Sequence, residues 1–128
     1  MSNAVCWFEI YVQDMARARA FYEAVFGVTL SRLEGNGAED GGDMAMLAFP
    51  GQQGNYGAPG ALVRMPGCPS GGNSVIVYFS CADCAVQAAR AAKAGGRVQK
   101  EKFSIGRYGF VALVTDTEGN TIGLHSMQ

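Results

Sequence analysis

Trp7-Phe8-Glu9-Ile10-Tyr11-Val12, followed by Asp14 and closed by Gly27, decides the fold, because its order returns later in the chain. Residues Val5 to Val12 alternate and are rich in aromatic and β-branched side chains, as a half-buried strand requires. Asp14 stands where a helix needs a side-chain acceptor for its free first-turn amides. Across Met15 to Phe26, Ala18, Phe21, Tyr22 and Val25 fall at i, i+3, i+4 and i+7, one face of a helix. Gly27 then occupies the place where a helix end favours left-handed backbone.

Three strand-like runs follow, Val28 to Glu34, Asp43 to Phe49 and Ala58 to Arg64. Between them lie Gly35-Asn36-Gly37-Ala38-Glu39-Asp40-Gly41-Gly42 and Gly51-Gln52-Gln53-Gly54-Asn55-Tyr56-Gly57, whose Gly and Asn content suits hairpin connections. A phosphate-cradling loop would lead from a strand directly into a helix, which these do not. Met65 to Asn73 reads as a linker. Beyond it the order repeats: strand Ser74 to Cys81, cap Asp83, helix Cys84 to Ala94, Gly95-Gly96, then strands Arg97 to Lys102, Tyr108 to Thr115 and Asn120 to Met127. Asp14 to Asp83 and Gly27 to Gly96 are both steps of 69 residues. Strand, helix and three strands, twice, is an internal duplication. The expectation is one α+β domain over residues 1–128, with module one at 4–64, a linker at 65–73 and module two at 74–128. Asp116-Thr117-Glu118-Gly119-Asn120 has Asp and Gly at the first and fourth places of a type I turn and is read as a turn rather than an acidic site.

The chain has 128 residues, 48% of them hydrophobic, enough for a buried core. Ten basic and eleven acidic residues leave a net charge of −1 with no long run of one sign, which argues against nucleic acid as a partner. No apolar run is long enough for a membrane span. The opening Met1-Ser2-Asn3-Ala4 has no basic or apolar leader, so a cytoplasmic location is expected. Cys6, Cys68, Cys81 and Cys84 are too irregular for a disulfide framework and are read as reduced thiols. Cys81-Ala82-Asp83-Cys84 is a CxxC with one thiol at a helix N-terminus, but nothing beside it completes a zinc or redox site.

The opening, with Phe21-Tyr22, and the ending Asp116 to Leu124 together resemble the vicinal oxygen chelate family, which includes glyoxalase I, the bleomycin and fosfomycin resistance proteins and the extradiol dioxygenases. Ser104-Ile105-Gly106-Arg107-Tyr108-Gly109-Phe110 with Ile122-Gly123-Leu124-His125-Ser126 is similar to a group described only as glyoxalase-like. The resemblance implies two βαβββ modules whose curved sheets form a half-open barrel or cup, and a homodimer that pairs the open edges. It implies metal ligands at the first strand of each module (His or Gln) and the last (Glu), holding a divalent ion against substrate oxygens. Those positions fall here on Trp7, Ile76 and Gly123, and a fourth within Met44 to Ala48 or Ala61 to Arg64. None of these side chains offers the hard N or O donors a metal needs, so no metal and no cofactor is expected.

Side chains two apart in a strand share a face. If Trp7, Ile76 and Gly123 point into the cup, then Glu9, Tyr11, Tyr78 and His125 do as well. Glu9 and His125, the only histidine, are the candidate acid–base pair. Trp7, Tyr11, Ile76, Tyr78 and Tyr108 are the candidate ligand-binding residues. The expected function is metal-independent binding of a small, partly apolar molecule. The alternative is a glyoxalase-related lyase or isomerase using Glu9 and His125, with or without a displaced metal between them.

Overall fold

The computed structural model describes residues 3–33, 44–52 and 55–128. Two four-stranded sheets and two helices make up the regular structure among these residues. The first sheet runs β1 (Phe8–Tyr11), β4 (Gly60–Arg64), β3 (Ala45–Ala48), β2 (Ser31–Arg32); the second runs β5 (Tyr78–Ser80), β8 (Thr121–Ser126), β7 (Phe110–Thr115), β6 (Arg97–Ser104). Helices α1 (Met15–Phe26) and α2 (Cys84–Lys93) follow β1 and β5. In each sheet the first strand is parallel to the last and the other pairs are antiparallel. This is the expected α+β architecture of two βαβββ modules. The hairpin loop expected at 35–42, and Glu34, Asp43, Gln53 and Gly54, lie outside the described residues.

Both helices begin where the aspartates predict. Asp14 accepts from the Arg17 amide and Asp83 from the Ala85 amide. Gly27 ends α1 with φ 65°, left-handed backbone that a Cβ would strain. Its counterpart differs: α2 is capped by Ala94, Gly95 takes φ 100°, and Gly96 is needed for space, because a Cβ there would run into the Thr115 carbonyl and the Phe21 ring.

Each strand differs from its expected span at one end or both, and at three of them the physical reason is plain. Among the described residues β2 covers Ser31–Arg32 and starts after Leu30, whose backbone is satisfied by side chains: Glu23 accepts from its amide and Arg19 donates to its carbonyl. β5 starts at Tyr78 rather than Ser74, because the Asn73 amide group bonds Val75 and Thr121 backbone where a ladder would run. β7 starts at Phe110, since Gly106–Tyr108 forms a single 3-10 turn closed by Gly109 at φ 106°.

One core joins the modules. Ile10, Val12, Leu62, Val114, Ile122 and Leu124 meet Phe21, Tyr22 and Val25 of α1 and Cys84, Ala88 and Ala91 of α2 in a single apolar cluster. Each large buried side chain contributes about 1.5–3 kcal/mol through the water it sheds. Both sheets therefore give their helix-bearing sides to this one core, and their other faces lie outside it.

The closing turn of module two clamps module one. The fully buried Glu118 carboxylate accepts from the Gln13 and Asp14 amides at 2.9 Å and pairs with Arg17 at 2.6 Å. Tyr22 donates to Asp116 at 2.6 Å, and Asn120 donates to the Tyr11 carbonyl at 2.9 Å. Asp116 and Asn120 hold the turn through the 2.8 Å bond from the Asn120 amide, so this acidic segment is structural. Burial opposes ionisation of Glu118, yet Arg17, the two amides and Thr117 outweigh it and hold the carboxyl at about 2.

Candidate functional site

Strand parity puts Trp7, Glu9 and Tyr11 on the outward face of β1, opposite Phe8, Ile10 and Val12, which enter or border the core. Glu9 is held from both sides: Trp7 Nε1 donates to Oε2 at 3.1 Å and the Tyr11 hydroxyl donates to Oε1 at 2.8 Å. The bond to Glu9, then burial, raises the Tyr11 phenol above its usual range. Glu9 and Tyr11 line a cavity of about 210 Å³ together with Asn73, Val75 and Asn120.

On the second sheet, Tyr78 and Ser80 pair with Gly123 and His125 in register. His125 Nε2 lies 2.7 Å from the Tyr108 carbonyl. A carbonyl only accepts, so Nε2 carries the hydrogen and Nδ1 keeps the free lone pair when the ring is neutral. The 3-10 turn thus places Tyr108 over His125, with the Tyr108 hydroxyl accepting from Arg107 at 2.8 Å. His125, Tyr78 and Ser80 line a larger cavity of about 1070 Å³.

Glu9 and His125 do not meet within one chain. No hydrogen bond or ion pair joins them, and they line different cavities. Trp7, Ile76 and Tyr108 are exposed and line neither. The wall of the larger cavity also includes Phe26, Phe49, Phe79 and Gln87, which strand and helix patterns present only as core or surface positions.

The family model of the Glyoxalase/Bleomycin resistance protein/Dioxygenase superfamily matches residues 4–124. The chain belongs to this superfamily. CFP32 of Mycobacterium bovis, named a candidate glyoxylase, is 33% identical over 118 residues, which cover 92% of this chain but only 42% of CFP32. Glyoxalase I from Zea mays superposes with a TM-score of 0.72 at 18% identity over 95% of this chain and 45% of that one. A glyoxalase/bleomycin resistance protein from Streptomyces sp. CB03234 gives 0.64 at 25% identity, over 94% of this chain and 98% of that one. A hypothetical protein from S. aureus, SA1046, gives 0.67 at 17% identity over 98% of both chains.

The superfamily's metal positions can now be followed through the ladders. Gly123 pairs with Tyr78 in β5–β8, and Ala61 pairs with Glu9 in β1–β4 at the equivalent place. The fourth position is therefore Ala61. Trp7, Ala61, Ile76 and Gly123 bring no metal donor, and the Tyr78 ring lies over the backbone where a closing-strand glutamate would start. Among the described residues no three His, Cys, Asp or Glu side chains cluster. The residues at these positions do not fit the family's ion.

Cys81 and Cys84 form no disulfide. Burial pushes the Cys81 thiol up to about 11, and Cys84 is buried at the start of α2, which suits packing rather than nucleophilic chemistry.

Proposed function

We propose that two copies of this chain pair so that the Trp7–Glu9–Tyr11 face of one and the Tyr78–His125 face of the other enclose a cup for a small, partly apolar molecule, bound without a metal. One observation carries the reading: both sheets give their helix-bearing sides to one core, so Glu9 and His125 lie on faces outside it and line different cavities, two half-sites in each chain. The exposed apolar side chains Val5, Trp7, Val75, Ile76 and Tyr78 fall in or just before β1 and β5, each of which is one edge strand of its sheet. Edge strands bordered by apolar side chains favour a partner, and a two-fold gives each half-site its complement. Glu9 would then supply a fixed acceptor, and His125 an imidazole whose Nδ1 is free.

The reading includes a cytoplasmic location, supported by four cysteines that form no disulfide. Among the described residues no helix is long and apolar enough to cross a membrane.

Proton transfer in the same cup is a second reading, favoured by that one free imidazole nitrogen. Native mass spectrometry of protein purified without chelator tests the main reading. The expected species is a dimer free of stoichiometric metal that retains small organic molecules, and Glu9→Gln should reduce their occupancy. About one divalent ion per chain would contradict metal-free binding.

A further inference from the structure

Glu9 lines a small cavity that a single chain completes. We propose that this cavity, of about 210 Å³, holds the ammonium end of a short alkyl amine. The inference rests on Glu9 as the fixed acceptor of the proposed cup and adds the class of its guest, without needing the second copy. Glu9 carries an unbalanced charge. Trp7 Nε1 and the Tyr11 hydroxyl each give one bond to its carboxylate, and both are neutral donors. Among the described residues Glu9 enters no ion pair. A carboxylate has about four lone-pair sites, so each oxygen keeps room for a further donor while the two bonds hold it in place.

The rest of the wall decides what that donor is. Glu9 is the only Asp, Glu, Lys or Arg among the described lining residues. Asn73 and Asn120 also line the cavity, but their amide groups are engaged elsewhere. Asn73 donates to the Val75 and Thr121 carbonyls and accepts from the Thr121 amide. Asn120 donates to the Tyr11 carbonyl and to Asp116 and accepts from the Gly71 amide. The polar end of a guest therefore falls to Glu9, which attracts a cation and repels an anion. A divalent metal does not match, since it needs several oxygen ligands and one carboxylate stands here. Pro69, Val75 and Val77 give the wall an apolar part that an alkyl chain can cover. The volume lies below the roughly 300 Å³ at which pockets for drug-sized ligands begin, so the chain is short.

Heteronuclear NMR titrations of the full chain at neutral pH test the site, because the one indole N–H resonance belongs to Trp7 and reports directly on the Glu9 carboxylate. n-Butylammonium should move that resonance and bind about tenfold more tightly than n-butanol, its neutral counterpart, as a charge-assisted bond requires. It should also bind at least about tenfold more tightly than methylammonium, since each buried methylene adds affinity. Glu9→Gln keeps the side-chain shape and removes the charge, and should bring n-butylammonium and n-butanol within about twofold. Equal binding of n-butylammonium and n-butanol to the wild-type protein overturns the site, whether or not the variant folds. Equal binding of n-butylammonium and methylammonium overturns it too, since it marks an open carboxylate rather than a cavity. So does an unchanged preference in folded Glu9→Gln. A dimer without the preference removes this guest and leaves the cup, whereas a monomer that keeps it removes the pairing and leaves this site standing.

Discussion

The ring of Tyr78 lies against the bare backbone of Gly123, its ladder partner, so closely that a side chain on Gly123 would collide with it. This contact occupies the place where the superfamily's closing-strand glutamate would project. Restoring that glutamate alone should not restore a metal site. Gly123→Glu should instead displace Tyr78 and destabilise the protein by about 1–3 kcal/mol, read by chemical denaturation. Wild-type stability together with gained metal affinity would show that Tyr78 yields freely and that the contact has no such role.

Glu118 gives a pH dependence with a definite sign. Its carboxyl is held at about 2 against an ordinary 4.5, so the folded form binds the proton less readily than the unfolded form. The stabilisation is fully present above 4.5 and is lost as pH falls towards 2. The linkage amounts to roughly 3 kcal/mol, or about 2 once the half-exposed Arg17 is discounted for solvent screening. Glu118→Gln should be about 2–3 kcal/mol less stable at neutral pH and should show a shallower loss in acid. Denaturant titrations across that range check both, and parallel pH curves for the two proteins would contradict the clamp.

Much of the architecture was legible because it rests on local chemistry that repeats. Asp14 and Asp83 both accept from first-turn amides, as their spacing implies. Gly27 and Gly96 share a register but not a reason: one supplies left-handed backbone, the other room for the Thr115 carbonyl and Phe21. Two strand starts fall later than the alternation implies because Glu23 and Arg19 at β2, and Asn73 at β5, bond backbone in place of ladder partners. Parity separated Trp7, Glu9 and Tyr11 from the core residues of β1. It could not show that the two sheets turn their helix sides to one core, which parts Glu9 from His125.

Thiol reactivity should separate the cysteines sharply. Cys81 is half-buried and its thiol is pushed up to about 11 by burial and by Cys84, whereas Cys6 is exposed. At neutral pH Cys81 should be alkylated at least about tenfold more slowly than Cys6, and its rate should climb as pH rises towards 11. Mass-spectrometric mapping of labelled peptides gives the rates. Rapid labelling of Cys81 at neutral pH would show an activated thiolate and reopen the redox reading of the CxxC.

Pairing of two chains is what the cup depends on, and Trp7, the single tryptophan, sits beside Glu9 at its proposed rim. Sedimentation equilibrium at micromolar concentration, with Trp7 emission recorded over the same dilution series, tests it most directly. The account predicts a species of twice the 13.5 kDa chain mass, with Trp7 emission moving to longer wavelength as the dimer dissociates. Its contradiction would be a 13.5 kDa monomer at every concentration, with Trp7 emission unchanged throughout.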